Sequence, residues 1–259
     1  MFDKSDCLDF SFDKYHQLCH TIIASPYKTM TLREYFQTGK PHKGFIIMRH
    51  DIDRKPSNSL AVAKLEHDHG ITSTYYFRAQ TLKSHPHIIK EIESLGHEAG
   101  YHYEVLSKVH GDHVKAIQLF ENELRYFREL CDIKTICMHG NPLSKYDNRH
   151  LWKRYDFHTY GIMGEGYLSM DNTVAYFSDT GRNWNNKNKM RDLLQNNTNI
   201  NINKTDELLD IIKNHQLDYL YILTHPERWA RTRIEWVHNY IQDTFFNYGK
   251  KALIYYYGK

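Results

Sequence analysis

Short runs of apolar, β-branched and aromatic residues alternate along this chain with segments whose apolar residues recur at helical spacing. That alternation restricts the chain to parallel strands joined by crossover helices, because a parallel neighbour is reached only through a long return connection. Strand signals fall at residues 44–48, 72–77, 97–102, 134–138 and 219–223, with less regular ones at 157–162 and 174–177. Helical patterns occupy 57–69, 87–95, 114–130, 205–215 and 231–246, with Pro56-Ser57 opening the first and Gly70 and Gly96 closing two of them. Two short helices, 12–23 and 32–36, are predicted within residues 1–40, an N-terminal extension packed on the body. Residues 183–203, rich in Asn and Lys, read as a loop excursion with a short helix near 190–194. The whole of 1–259 is read as one α/β domain.

In a parallel α/β sheet or barrel, side chains at the carboxyl ends of different strands converge on one face, and sites form there. These endings carry His50, Asp51 and Asp53, then Arg78, then His102 and Glu104, then His139, then Asp179 and Arg182, and finally His225. Imidazole or carboxylate stands at nearly every one. Two carboxylates one residue apart, Asp51 and Asp53, allow one to hold a cation while the other takes a proton from water. A divalent ion of borderline softness binds carboxylate oxygen and imidazole nitrogen together, and zinc fits that donor set. His102 and Glu104 share strand parity, so both face the same side if the extended backbone persists. His97 has the opposite parity and is read as structural.

Composition removes other classes. A net charge of +3 from 34 basic and 31 acidic residues leaves no footprint for a polyanion, so no nucleic-acid partner is expected. No segment approaches the roughly 18 consecutive apolar residues that a membrane span needs, and the N-terminus lacks a basic region followed by an apolar run. Cys7, Cys19, Cys131 and Cys137 form no CxxC pair and are read as reduced thiols in a soluble cytoplasmic protein. The 20 tyrosines and 18 histidines suit carbohydrate faces and metals, but equally an aromatic core.

With these residues in view, the chain resembles the polysaccharide deacetylases of the NodB-homology type over residues 44–229. Asp51 and Asp53 look like that family's first motif, a general base and a metal ligand. The run Gly96-His97-Glu98-Ala99-Gly100-Tyr101-His102 looks like the second, whose last His is a ligand. Leu223-Thr224-His225-Pro226 looks like the final motif, whose His is the general acid. The RHDID, GHEAGYHYE, MHGNPLSKYDN, SDTGRNW and HPERW segments resemble an uncharacterised bacterial branch of that family. The resemblance implies a distorted (β/α) barrel of about seven parallel strands, a divalent metal cofactor, and removal of an N-acyl group from a carbohydrate in surface-glycan biosynthesis. Two positions depart from the pattern. Where the family has a second histidine this chain has Leu106, leaving Glu104 and His139 as alternatives for the third ligand. The usual Arg-containing third motif is replaced by Met138-His139-Gly140-Asn141-Pro142. His50, Arg78, Asp179, Arg182 and Trp229 are assigned to substrate contact.

Each motif also has a plainer reading. Asp51 and Asp53 can cap the next helix or pair with Arg49 and Arg54. His225 can simply end a strand before Pro226. Trp229 can be core, and Asp179 with Arg182 a surface pair. If Leu106 marks a lost ligand, the barrel is a lapsed enzyme that binds glycan or a protein partner and holds no metal. A further alternative keeps the metal and cleaves a phosphate ester instead.

Overall fold

The structure, a computed structural model, describes residues 7–42, 44–140, 144–185 and 200–257. The strands β2 (Phe45–Ile52), β3 (Thr74–Phe77), β4 (Glu98–Tyr103), β5 (Thr135–Met138), β6 (Gly164–Glu165), β7 (Ala175–Ser178) and β8 (Tyr219–Thr224) form a row in the order β6-β5-β4-β3-β2-β8-β7. Every pairing is parallel. β6 and β7 are the two edges, so the sheet is a curled half-barrel, the distorted (β/α) barrel that the alternation and the resemblance led us to expect. A short strand, β1 (Lys28–Met30), pairs with Phe45–Ile47 of β2, while β3 takes over from Arg49. Residues 1–40 therefore add a strand as well as helices, a correction to the helical extension: three residues are too few to show a period.

Helices α3 (Pro56–Asp68), α5 (Pro86–Ser94), α7 (His113–Arg128) and α8 (Thr205–Lys213) return the chain between strands. Their apolar faces cover the sheet's outer side, where Tyr101 and Tyr103 pack on Phe120 and Tyr101 on Phe127. α1 (Phe12–Ile23) starts at Ser11, whose hydroxyl accepts from Lys14 N–H, and buries Tyr15, Leu18, Cys19 and Ile22. α2 (Leu32–Thr38) opens with a capping box between Thr31 and Glu34. The short α4 (Ala79–Ser84) and α6 (Val105–Lys108) follow β3 and β4, and α9 (Arg233–Tyr257) ends the described chain. Among the described residues no helix is long and apolar enough to cross a membrane, and no disulfide joins any of the four cysteines.

β2 runs four residues further than its apolar stretch suggests, because the β3 and β8 ladders continue alongside it. Arg49, His50 and Asp51 are thus strand residues with alternating directions. The weaker strand expected at 157–162 is a 3-10 turn, Phe157–Tyr160, started by Asp156 and stopped at the left-handed Gly161. The edge strand is instead the two-residue β6. The helix expected near 190–194 lies outside the described residues, as do Asn141 and Pro142.

The sheet's inner side is unusually polar. Arg49 and Tyr76 meet there, with the guanidinium 5.4 Å from the ring centroid. Gly100 of β4 makes room for that ring: a Cβ at this position would overlap Tyr76.

Candidate metal centre

Four strand ends meet above this polar interior. Asp53 follows β2, His102 lies in β4, His139 follows β5, and His225 follows β8. Asp53 Oδ1 stands 3.5 Å from His102 Nε2 and 3.4 Å from His139 Nε2. His225 Nε2 approaches the other oxygen at 3.9 Å. Asp53, His102 and His139 form a group with donor atoms close enough to share one ion.

The far nitrogens decide what the near ones offer. His102 Nδ1 faces the carbonyl oxygen of Cys137 at 3.0 Å, a group that only accepts, so Nδ1 carries the proton. His139 Nδ1 faces Glu104 Oε2 at 3.1 Å, and the same reasoning gives it a proton. Both Nε2 atoms then present lone pairs to Asp53 Oδ1, itself buried and without a hydrogen-bond partner. Three acceptors cannot satisfy one another. A cation among them satisfies all three, with each imidazole oriented by a partner on its outer nitrogen. Burial by itself would raise Asp53; the imidazoles of His139, His102 and His225 outweigh it in their protonated form and hold the carboxyl well below the usual range, and it is in their neutral form that His139 and His102 leave lone pairs for a cation. One carboxylate and two imidazoles with an open side suit zinc and also other first-row divalent ions.

Glu104, the alternative ligand, is committed elsewhere. β4 ends at Tyr103, and the backbone at Glu104 has left the extended region at φ −141°, ψ 26°, so strand parity no longer governs its side chain. Its carboxylate takes Arg78 Nη2 at 2.8 and 2.9 Å, Lys108 Nζ at 3.2 Å, and His139 from behind. Burial is outweighed by His139 and Arg78, which keep Glu104 an anion. Arg78 thus grips the carboxylate behind His139 and reaches towards the Asp53 carbonyl oxygen at 3.5 Å.

Asp51 sits on one side of the group, its Oδ2 3.6 Å from His102 Nε2. Arg49, two residues earlier and on the same face, holds it with Nε at 2.8 Å and Nη2 at 2.5 Å. The plainer pairing of Asp51 with Arg49 is therefore real, and it coexists with Asp51's place at the centre. The hydroxyls of Tyr221 and Tyr167 accept from the Arg49 guanidinium at 3.1 and 3.2 Å. Burial opposes a charge on Arg49, but Asp51 prevails and the guanidinium stays a cation.

His225 occupies the other side. Its Nδ1 lies 2.6 Å from Asp179 Oδ1, and Asp179 Oδ2 accepts the His225 backbone N–H at 3.0 Å. Arg228 and the Trp229 indole N–H complete the cradle at 3.1 Å each. Burial would raise Asp179, yet His225 and Arg228 hold it low; burial and Arg228 would lower His225, yet Asp179 and Asp53 raise it. The imidazole is held as a proton donor.

Several residues assigned to substrate contact have other places. His50 points to the outer side of β2, fully buried, between Thr224 Oγ1 at 2.7 Å and Glu66 Oε1 at 2.9 Å; alternation along an extended strand turns it away from Asp51. His97 lies on that outer side too, as its parity predicts, with Nε2 2.9 Å from the Ala63 carbonyl oxygen. Trp229 is buried against Phe10 and Tyr15, a core residue that also orients Asp179. Arg182 lies over the rings of Phe10 and Trp236 and donates to the Arg228 carbonyl oxygen at 3.0 Å. Asp179 is no surface pair with Arg182 but the buried partner of His225. Glu227 was missed: it is buried beside Asp53, and that burial together with Asp53 pushes its carboxyl up to about 7. Its place two residues after His225 was the only signal.

No protein-family model matches the sequence, and no curated protein does. Among solved structures, the chain is similar to a CE4 family pseudoenzyme from Bacillus anthracis, with 12% identity over 80% of this chain and 62% of that one and a TM-score of 0.48. It is similar to PdaA of Bacillus subtilis, a family 4 carbohydrate esterase, at 15% identity over 89% and 83% of the two chains with a TM-score of 0.45. A CE4 esterase of Streptococcus mutans matches at 11% identity over 85% and 87%, with a TM-score of 0.48. The chain spans less than two thirds of the length of the first of these structures.

Proposed function

We propose that this chain is a metal-dependent hydrolase that cleaves the amide of an N-acylated sugar. The observation that carries the reading is the convergence of Asp53 Oδ1, His102 Nε2 and His139 Nε2, flanked by Asp51 and by a protonated His225. Asp53, His102 and His139 hold the divalent ion, for which zinc is our choice. The bound ion supplies Lewis-acid polarisation of the acyl carbonyl and lowers the pKa of water. Asp51, held by Arg49, takes the proton from the attacking water. His225, held by Asp179, gives its Nε2 proton to the departing amine nitrogen. Water thus adds across the C–N bond to release a carboxylic acid and an amine.

What supports this reading over a lapsed barrel is His139. The imidazole absent at Leu106 has a counterpart on the next strand, already oriented by Glu104. The test is elemental analysis of purified protein after reconstitution, followed by an acetate-release screen over N-acetylated sugars. About one metal ion per chain, lost in Asp53→Ala and His102→Ala, with acetate release lost but metal kept in Asp51→Asn, is the expected result. A chain that takes up no metal on reconstitution overturns the proposal. A chain that holds metal but releases phosphate from sugar phosphates overturns the choice of scissile bond.

A further inference from the structure

α9 is amphipathic in the reverse sense. The face turned to the body is polar: Asn239 donates to the Glu227 carbonyl oxygen at 2.8 Å, Asp243 pairs with Arg54 at 3.4 Å, and Asn247 donates to the Gly181 carbonyl oxygen at 2.7 Å. The face turned to solvent carries Ile234, Val237, Ile241, Phe245 and Tyr248, with Ile234 84% and Phe245 76% exposed. At 3.6 residues per turn these five side chains fall within about 80° of one another, so they form a single stripe roughly 21 Å long. Tyr240, stacked on Trp236, and Phe246, beside Arg54, flank the body-facing side and lie outside the stripe.

We propose that this stripe is the interface between two copies of this chain, paired antiparallel across a two-fold axis at Ile241. Two observations favour a second copy. Over the part of α9 whose side chains the structure describes, the stripe is symmetric about its middle: its steps are three, four, four and three residues. An antiparallel partner therefore sets Ile234 against Tyr248, Val237 against Phe245 and Ile241 against itself, the self-complementarity that a two-fold interface demands. The fractional exposures of the five stripe residues amount to on the order of 700 Å2 per copy. That exceeds the few hundred Å2 of contiguous apolar surface a typical monomer shows, and it comes close to one partner's share of a standard stable interface, about 800 Å2.

The pairing bears on the centre through the inner face of α9. Asn239 holds the turn that follows His225, and Asp243 holds Arg54, the residue after Asp53. A helix clamped between body and partner keeps that turn in place.

The experiment is the molar mass of the full chain at tens of micromolar, by light scattering after gel filtration. The expected mass is about 62 kDa, twice the chain mass of 31.0 kDa. Ile241→Lys sets two like charges face to face on the axis and halves the mass, with circular dichroism and metal content per chain unchanged. Val237→Lys alone also gives a monomer, whereas Val237→Lys with Phe245→Glu restores the dimer through opposed charges. A native chain of 31.0 kDa, including one that sediments with phosphatidylcholine vesicles, overturns the proposal. So does a dimer that Ile241→Lys leaves intact. Failure of the double variant to restore the dimer overturns the antiparallel register.

Discussion

Replacing Glu104 by Gln removes one negative charge from behind His139 while keeping side-chain length and an acceptor oxygen. If His139 is the ligand and Glu104 its support, the substitution weakens the basicity and fixed orientation of Nε2 without deleting a donor atom. Loss of such an outer partner costs about 10- to 100-fold in metal affinity, or roughly 1.4 to 2.8 kcal/mol. His139→Ala removes one of the three donors, and Asp53→Ala the only anionic one, so both fall well beyond that range. The assay is competition for zinc against a chromophoric chelator, with the melting temperature of the metal-free proteins as a control for folding. The expected order of affinity is native, then Glu104→Gln, then His139→Ala and Asp53→Ala. If Glu104→Gln loses metal as completely as Asp53→Ala while His139→Ala loses only a factor of ten, the carboxylate is the ligand and the roles are reversed.

Arg49→Lys keeps a buried cation but loses the two-point grip on Asp51; kcat should fall at least tenfold with KM and bound metal little changed, because only the orientation of the base is touched. Metal loss in that variant would show Asp51 to be part of the ion's own shell. The buried Glu66 accepts from the Tyr15 and Tyr75 hydroxyls at 2.5 and 2.6 Å. Burial is outweighed there by His50, and the carboxyl is lowered from 4.5 to about 2. A depressed carboxylate stabilises the fold above its unfolded pKa, so this contribution, on the order of 3 kcal/mol, is full above pH 4.5 and lost as pH falls towards 2. Urea titrations between pH 5 and 2 should show Glu66→Gln losing that slope; an unchanged slope refutes the assignment. Gly100→Ala drives a methyl into Tyr76 and should lower stability by about 1 to 3 kcal/mol, relieved in Gly100→Ala with Tyr76→Leu. Additive effects in that pair would show the clash to be absent.

The half-barrel was legible because alternation is a long-range pattern, repeated over most of the chain and insensitive to where each strand ends. The centre was legible as a set of strand endings but not as an arrangement. Ranking His102, Glu104 and His139 needed two facts that no spacing contains: where β4 stops, and which side chain faces the outer nitrogen of His139. β4 stops at Tyr103, one residue before parity would have carried Glu104 inward. Listing His50 beside Asp51 failed for the opposite reason, since β2 continues through both and sends them to opposite sides. Arg49 was the residue that parity did offer: it lies two before Asp51 on an unbroken strand. Its worth was hidden because an arginine next to carboxylates reads equally as plain pairing. Asp179 reaches His225, Arg228 and Trp229 only because β7 and β8 are neighbours, an adjacency set by the sheet order and by no local signal. Local periodicity thus names the residues a parallel sheet delivers to its carboxyl edge, and only the ladder shows which of them face one another there.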